Sequence, residues 1–346
     1  MIKVMIVDDS PFIRRIFKNI VEHDKELTVI ATAKDGQDAL EKIQENRPDV
    51  ITLDIDMPVK NGLETLKEIM KMEKPIPTIM VSALDNRETV MKALDLGAFD
   101  FIPKTEQFPS TDTSSLSNTL IPKIKAAAQI EPKIPSYDIK PISPIKDKIS
   151  KKDLKSKFPI VAIGTSSGGP KALKAILPVI PADFPAAILI VQHMPAGFTK
   201  SFADRLNQES AIKVKEAAEG DIIQPGLALL APGDYHMQID KDGRVRLDQT
   251  PTVWGVRPCV DHLFKSLAKN FKDRVIGIIM TGMGKDGAEG MKAVKKHGGY
   301  GIVESEETAL VYGMPGAAIK ANAYDEILPL HQIPEQLIKL IERRLQ

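Results

Sequence analysis

The chain alternates short apolar runs with segments whose apolar residues recur every three or four positions. Five runs near the N-terminus have the length and composition of buried strands: residues 4–7, 27–31, 50–55, 78–83 and 101–103. Intervening segments, such as residues 36–46 and 62–72, carry apolar residues at the spacing of one helix face. Strands that alternate with helices in this way predict a five-stranded, doubly wound parallel α/β sheet.

The same alternation returns in the C-terminal half of the chain. Strand-like runs cover residues 160–164, 187–192 and 275–280, and each is followed by a helical pattern. Two further runs flank the pair Asp242-Gly243, which favours the tight turn of a hairpin. This half is therefore predicted to form a second doubly wound α/β domain that carries a β-hairpin.

Residues 131–157 interrupt the alternation. They contain four prolines, eight lysines and four acids but no glycine. Such a composition cannot bury a core and is typical of a semi-extended linker. The predicted organisation is a first domain over residues 1–130, a linker over 131–157 and a second domain over 158–346.

Composition narrows the classes of function. The 346 residues include 47 Lys and Arg and 46 Asp and Glu, so charge gives no reason to expect nucleic acid as a partner. Cys259 is the single cysteine, which excludes an intrachain disulfide and indicates a reducing compartment. No apolar run reaches the roughly 18–20 residues that span a bilayer, and the N-terminus does not resemble a signal peptide. We expect a cytoplasmic protein without membrane insertion.

Polar residues end several of the predicted N-terminal strands. Asp8 and Asp9 follow the first strand and Asp54 ends the third, at the edge where ligands of such sheets gather. Three converging carboxylates repel one another unless a cation such as Mg²⁺ neutralises them. Ser82 and Lys104 end the fourth and fifth strands, and the set would suit a phosphoryl group carried on an aspartate. The alternative is that the acids are solvated loop residues.

The segments VDDS, LDIDMPVKNG, VSA and FIPK, in this order, resemble the signature of response-regulator receiver domains. The resemblance implies a flavodoxin-like fold in which a histidine kinase phosphorylates Asp54. It also implies a magnesium site and phosphate contacts: the metal residues are Asp8, Asp9, Asp54 and Asp56 (through its backbone carbonyl), and the phosphate contacts are Ser82 and Lys104.

A second motif, Gly164-Thr165-Ser166-Ser167-Gly168, fits the pattern G-x-S-x-G between a strand and a helix. In this pattern a sharp turn exposes the central hydroxyl, here that of Ser166, as a nucleophile. The spacing fits neither a dinucleotide-binding loop nor a Walker loop. The motif alone leaves open whether it carries a nucleophile or forms only a structural turn.

A serine nucleophile needs a base and a group that orients the base. Of the six histidines, His193 directly follows the strand after Ser166, which places it at the same sheet edge. Asp286 lies in the glycine-rich turn that follows the strand at 275–280. It is the candidate for the orienting acid, with a simple tight loop as the alternative.

Six ordered segments resemble the catalytic domain of chemotaxis protein-glutamate methylesterases, the CheB family. They are GTSSGG, QHMPAGFTKSFADRLN, APGDYHM, VRPCVDHLFKSLA, TGMGKDGAEGM and VYGMPGAA. This resemblance spans about residues 158–345 and, together with the receiver, covers almost the whole chain. It implies that Ser166, His193 and Asp286 are the nucleophile, the base and the orienting acid.

We therefore predict a phosphorylation-activated serine esterase. It would remove methyl groups from glutamates of methyl-accepting chemoreceptors, release methanol, deamidate receptor glutamines and receive phosphate from a chemotaxis histidine kinase. Mg²⁺ would serve the receiver, and the ester step would need no cofactor. The backbone N–H groups of Ser167 and Met283 are predicted to stabilise the oxyanion.

Three departures from the family pattern and two alternative functions accompany this prediction. Asp56 and Cys259 stand where many relatives have Glu and Ser, and Cys259 is expected to pack as a small apolar side chain. Ser167 replaces a common Thr beside the nucleophile, where it would affect the detail of the oxyanion hole. A transcription regulator and a catalytically silent adaptor are the alternatives. Retention on heparin or DNA would identify the first, and failure of a fluorophosphonate probe to label Ser166 would identify the second.

Overall fold

The computed structural model describes residues 1–83, 86–104, 114–130 and 158–345. The chain divides into two compact units, Met1–Pro135 and Ser136–Gln346. The predicted linker, residues 131–157, lies outside the described residues, and its boundaries stay a prediction. No helix in the described ranges combines the length and the apolar character needed to cross a bilayer.

The N-terminal unit is a parallel sheet covered by helices. Its strands are β1 (Ile2–Val7), β2 (Leu27–Ala33), β3 (Val50–Asp54), β4 (Thr78–Ala83) and β5 (Asp100–Lys104). Its helices are α1 (Pro11–Glu22), α2 (Gly36–Glu45), α3 (Gly62–Met70), α4 (Arg87–Leu96) and α5 (Ser114–Ala127). The strand order β2-β1-β3-β4-β5 is that of a flavodoxin-like sheet, as predicted.

The burial of the central strands explains why they read as continuous apolar runs. All five residues of β3 are buried, and β1 is buried from Val4 to Val7, because helices cover both faces of the sheet. At the start of α3, Asn61 Oδ1 accepts the Glu64 N–H and Glu64 Oε2 accepts the Asn61 N–H. This capping box fixes where the helix begins and so limits the length of the loop after β3.

The C-terminal unit contains a larger parallel sheet and a separate hairpin. Its strands are β6 (Ile160–Thr165), β7 (Ala187–Gln192), β8 (Lys213–Glu216), β9 (Leu227–Leu230), β10 (His236–Ile239), β11 (Val245–Asp248), β12 (Val275–Ile279), β13 (Tyr300–Glu304) and β14 (Glu326–Leu328). Its helices are α6 (Gly169–Ile176), α7 (Phe198–Glu209), α8 (Val260–Phe271), α9 (Ala288–Lys296), α10 (Gly313–Lys320) and α11 (Ile333–Leu345). Seven parallel strands follow the order β14-β13-β12-β6-β7-β9-β8, and β10 pairs with β11 in antiparallel fashion.

The predicted strands and the hairpin are confirmed, but four strands were not recognised in the sequence. In β8 only Val214 is fully buried, and β14 is only three residues long, so both lack a strong apolar signal. The sequence of β9, Leu-Ala-Leu-Leu, has residues that favour helices as much as strands. The strand β13 is short and contains a glycine, which weakens its pattern.

The strand order locates a crevice in the larger sheet. From β6 the chain continues to β7 on one side, and it later returns to place β12 on the other side of β6. Ligands of open α/β sheets bind at such a reversal, outside the carboxyl ends of the strands. The loops after β6, β7 and β12 therefore meet at the position expected for a site.

Candidate active site

The turn after β6 is tied to the end of β12. The Ser166 N–H donates to the Thr281 carbonyl at 3.0 Å, and Thr165 Oγ1 donates to the same oxygen at 2.9 Å. A Cβ atom on Gly282 would lie 2.9 Å from Ser166 Cβ and 2.3 Å from Met314 Sδ. Only glycine therefore allows the backbone after β12 to pass this close to the Ser166 side chain.

The helix α6 begins immediately after this turn. Gly168 has a φ of +80°, a conformation that glycine adopts without strain, and the next residue starts the helix. The Gly169 N–H then donates to the Ser166 carbonyl at 2.8 Å. The result is a sharp strand-to-helix turn that leaves the Ser166 side chain half-buried at the crevice.

His193 lies on the neighbouring strand at the same height. The register of the sheet pairs Thr165 with Gln192, so Ser166 and His193 are the next residues on adjacent strands. The His193 N–H donates to the Thr165 carbonyl at 3.1 Å. The imidazole Nε2 lies 2.8 Å from Oδ2 of Asp286, whose carboxylate is buried.

Asp286 is held by the first residues of α8. Its Oδ2 accepts the Val260 N–H at 2.7 Å, and its Oδ1 accepts the Asp261 N–H and the Cys259 thiol, both at 3.0 Å. Burial alone raises the pKa of the carboxyl, but the bonds from His193, Cys259 and Val260 outweigh it, and the net pKa is below its usual value. His193 thus contributes most to keeping the aspartate ionised, and the N–H groups at the start of α8 add to this effect.

A second cluster lies at the carboxyl edge of the N-terminal sheet. Asp8 and Asp54 are buried there, and Lys104 Nζ lies 2.9 Å from Asp8 Oδ2 and 2.8 Å from Asp54 Oδ2. Asp9 is exposed, and carboxylate oxygens of Asp8, Asp9 and Asp54 lie within 4.8 Å of one another. One ammonium leaves three carboxylates under-neutralised, so these oxygen donors fit a hard divalent cation such as Mg²⁺.

The environment of Asp54 shifts its titration. Burial raises the pKa of Asp54 to about 6, the bond to Lys104 opposes that shift, and repulsion from Asp8 adds to it. The carboxylates of Asp54 and Asp8 raise the pKa of Lys104 although burial opposes them. A charged Lys104 and an Asp54 of weakened acidity therefore lie side by side at the carboxyl edge of this sheet.

Two other predicted residues of this cluster have different surroundings. Ser82 is fully buried, and its Oγ donates to the Ala83 carbonyl at 3.0 Å. Asp56 is exposed, and its carboxylate accepts a hydrogen bond from the Asn86 side chain. The Asp56 side chain is therefore outside the carboxylate cluster, and the predicted role of its backbone carbonyl stays a prediction.

Comparison with known proteins identifies two families whose sequence models match this chain. The sequence model of the family described as CheB methylesterase matches residues 161–337, and that of the response regulator receiver domain matches residues 4–111. The chain belongs to the CheB methylesterase family. The predicted resemblance to this family and to receiver domains is confirmed.

Relatives of the CheB family match the chain along almost its whole length. A protein-glutamate methylesterase/protein-glutamine glutaminase of Symbiobacterium thermophilum is 44% identical over 352 aligned positions, covering 98% of this chain and 97% of the relative. One of the same name from Pyrococcus horikoshii is 44% identical and covers 99% of this chain and 94% of the relative. The crystal structure of the Thermotoga maritima CheB methylesterase catalytic domain is 45% identical, covers 53% of this chain and 99% of that one, and superposes with a TM-score of 0.52.

Three buried polar residues of this CheB-family chain were missed by sequence reasoning. Gln192 and Thr281 contact the backbone of the Ser166 turn, and Glu304 accepts the Thr281 N–H at 2.7 Å and the Thr308 hydroxyl at 2.9 Å. Burial raises the pKa of Glu304 to about 7. The only available signal was their position at or just after strand ends, which does not distinguish them from other polar residues.

Cys259 also differs from the expectation. The prediction of a small packed side chain is right about burial, but the thiol donates to the Asp286 carboxylate. Its pKa is raised above the ordinary thiol value by burial and by the nearby Asp286 charge, so it stays protonated and remains a donor.

Within the described residues we find no hydrogen bond from Ser166 Oγ to His193. Nucleophile–base contacts are often long in the absence of substrate.

Proposed function

We propose that this protein is a phosphorylation-activated serine esterase that hydrolyses glutamate methyl esters on methyl-accepting chemoreceptors and releases methanol. The observation that carries the proposal is the 2.8 Å contact between His193 Nε2 and Asp286 Oδ2. Ser166 stands one strand away, at the reversal of the strand order. The names of the relatives supply the substrate: protein-glutamate methylesterase.

The proposed reaction proceeds through an acyl-enzyme. Ser166 Oγ attacks the ester carbonyl carbon while His193 takes the hydroxyl proton, and the ionised Asp286 stabilises the imidazolium that forms. Because Nε2 faces Asp286, Nδ1 is the nitrogen available to Ser166. His193 then gives the proton to the departing methoxide, methanol leaves, and water activated by His193 hydrolyses the glutamyl ester of Ser166 to a free carboxylate.

The oxyanion of each tetrahedral intermediate needs donors near Ser166. The Ser166 N–H is engaged with the Thr281 carbonyl, so it is not available as a donor. We propose the backbone N–H groups of Ser167 and Met283, because Ser167 follows the nucleophile and Met283 follows Gly282, whose backbone lies against the Ser166 side chain. Such a donor typically contributes about 3–4 kcal/mol to the transition state.

We also propose that the same site deamidates receptor glutamines. A carboxamide differs from the methyl ester chiefly in its leaving group, and the proton held by His193 is available to ammonia as it departs. The relatives carry the name protein-glutamine glutaminase beside methylesterase, which supports this activity. Mass spectrometry of a glutamine-containing receptor should reveal a gain of about one dalton, and its absence would restrict the enzyme to esters.

The N-terminal unit is proposed to control the esterase through phosphorylation of Asp54 by a chemotaxis histidine kinase. Mg²⁺, when bound, would neutralise charge between carboxylates and phosphoryl oxygens; Asp8, Asp9, Asp54 and the carbonyl of Asp56 would hold it. The Lys104 ammonium, now paired with Asp54, would turn to the phosphoryl oxygens, and the Ser82 hydroxyl would contact another. Phosphorylation would thus break the present contacts of Lys104 and Ser82, and this local change would switch the N-terminal unit between two states.

The remaining predictions belong to the same proposal. We place the receiver at residues 1–130, the linker at 131–157 and the catalytic domain at 158–346. A cytoplasmic location follows from receptor and kinase partners that act there, and the near-zero net charge gives no reason to expect nucleic acid as a partner. We propose no membrane insertion, because no apolar run in the sequence reaches the roughly 18–20 residues that span a bilayer.

The test measures methanol release from methylated receptor membranes with the full chain, with and without a small phosphodonor. We expect release that the phosphodonor stimulates, together with labelling of Ser166 by a fluorophosphonate. Release by the wild type but not by Ser166→Ala would assign the activity to this site. A protein that the probe does not label and that releases no methanol would be an adaptor rather than an esterase.

A further inference from the structure

Gln192 is a buried residue that contacts both proposed catalytic residues. It ends β7, immediately before His193, and only 2% of it is exposed. Its side-chain Nε2 donates to the Ser166 carbonyl at 2.9 Å and to the His193 carbonyl at 3.1 Å. One amide group thus joins the backbone of the nucleophile to the backbone of the base.

The chemistry of the partners determines the orientation of this amide. Both partners are carbonyl oxygens, which only accept, so the NH₂ group must point to them. The Oε1 atom then faces Gly169, where a Cβ would lie 2.1 Å from it. Within the described residues Oε1 has no hydrogen-bond partner. An unsatisfied buried oxygen is costly, and the two hydrogen bonds that the NH₂ group donates at the opposite end of the amide offset that cost.

The two hydrogen bonds of Gln192 add to backbone hydrogen bonds that already join the Ser166 and His193 segments. The Ser166 carbonyl also accepts the Gly169 N–H at 2.8 Å, and the His193 N–H donates to the Thr165 carbonyl at 3.1 Å. Without Gln192, the Ser166 carbonyl would keep only the Gly169 N–H of its own helix, although the Ser166 N–H would still donate to Thr281. The His193 carbonyl would lose the donor that the preceding side chain supplies. Gln192 therefore links two loops whose separate movement would change the distance between Ser166 and His193.

We propose that Gln192 is a positioning residue for the esterase reaction, which holds the Ser166 and His193 backbones at the separation that proton transfer needs. The inference rests on the proposed function, since it assigns Gln192 a part in that reaction. Gln192 is buried behind the reacting groups and does not touch substrate in this role. Its loss is expected to lower kcat and leave KM for the receptor unchanged, because a misplacement of about 1 Å can cost about 10²-fold in rate.

The experiment compares two substitutions in the full chain, stimulated by a phosphodonor. Gln192→Met keeps the length of the side chain but removes both hydrogen bonds. Gln192→Glu places oxygens against the two carbonyls, and only its protonated form retains one donor. We expect Gln192→Met to lower kcat about 10- to 100-fold at every pH, whereas the activity of Gln192→Glu relative to wild type should fall as pH rises.

A control separates positioning from general stability. Ile341→Val removes one buried methyl group from α11 and should lower the thermal midpoint without lowering kcat. If Gln192→Met is folded and retains the wild-type kcat, the proposal is wrong. If Gln192→Met does not fold, the pH dependence of Gln192→Glu tests the proposal instead. A ratio of its kcat to the wild-type kcat that stays constant with pH overturns the proposal. A wild type without methanol release would instead contradict the proposed function itself.

Discussion

His193 and Asp286 are 93 residues apart in the chain, yet Nε2 of the imidazole lies 2.8 Å from Oδ2 of the carboxylate. The contact uses the nitrogen farther from the backbone, so the nearer nitrogen, Nδ1, is the one available to the proposed nucleophile, Ser166. The carboxylate is oriented independently by two N–H groups at the start of α8. The position of the acid therefore depends on the start of α8 as well as on the histidine.

The first prediction separates two adjacent serines. Ser166→Ala should reduce kcat by roughly 10⁵–10⁶-fold, because the oxyanion donors alone cannot replace covalent catalysis. Ser167→Ala is the matched control and should retain most activity, since the substitution leaves its backbone N–H in place. Methanol release and fluorophosphonate labelling measure both variants. Loss of activity in Ser167→Ala with Ser166→Ala still active would show that the nucleophile is Ser167.

The second prediction concerns the acid and its thiol donor. Asp286→Asn should lower kcat by about 10⁴-fold, because an amide neither fixes the imidazole in the required tautomer nor stabilises the imidazolium. Cys259→Ala removes one of several hydrogen bonds to Asp286 and should cost about 2- to 10-fold. Kinetics over a range of pH would measure both. A loss in Cys259→Ala equal to that in Asp286→Asn would mean that the thiol, not α8, orients the acid.

The third prediction tests the phosphorylation site. Asp54→Asn should keep the basal esterase rate but remove its stimulation by a phosphodonor, because the amide oxygen is too weak a nucleophile to accept the phosphoryl group. Asp56→Asn is the control: the side chain is exposed and outside the carboxylate cluster, and the backbone carbonyl survives. It should remain stimulated. Stimulation that persists in Asp54→Asn would contradict the assignment of Asp54.

The fourth prediction concerns pH and Glu304. Burial raises the pKa of Glu304 from 4.5 to about 7 in the folded protein. Between pH 4.5 and about 7 the folded state binds more protons than the unfolded state. The contribution of Glu304 to the free energy of unfolding is therefore complete at low pH and is lost as pH rises through about 7. Glu304→Gln removes the titration, and its stability relative to wild type should improve by about 2–3 kcal/mol between pH 5 and pH 8.

Denaturant unfolding of both proteins at the two pH values provides the measurement. Because wild type and variant share every other titrating group, the difference between them isolates the contribution of Glu304. An unchanged difference between pH 5 and pH 8 would show that Glu304 does not titrate in this interval.

Local patterns in the sequence determined a large part of this protein. Apolar runs predicted the five strands of the N-terminal sheet to within two residues at each end. The central strands β1, β3 and β4 are the most buried, and burial on both faces makes them continuous apolar runs. The same runs showed that Asp8, Asp54, Ser166 and His193 stand at strand ends. The hairpin followed from Asp242-Gly243, where Gly243 has a φ of +78°.

Tertiary structure decided what the strand ends have as neighbours. The placement of β12 beside β6 brings Thr281 and Gly282 against Ser166, although more than a hundred residues separate them. The bond to His193 outweighs burial and lowers the pKa of Asp286, with smaller contributions from Cys259 and Val260, and burial raises the pKa of Glu304. No local pattern encodes these contacts, because side chains such as Gln192 act here only through partners that strand order and register supply.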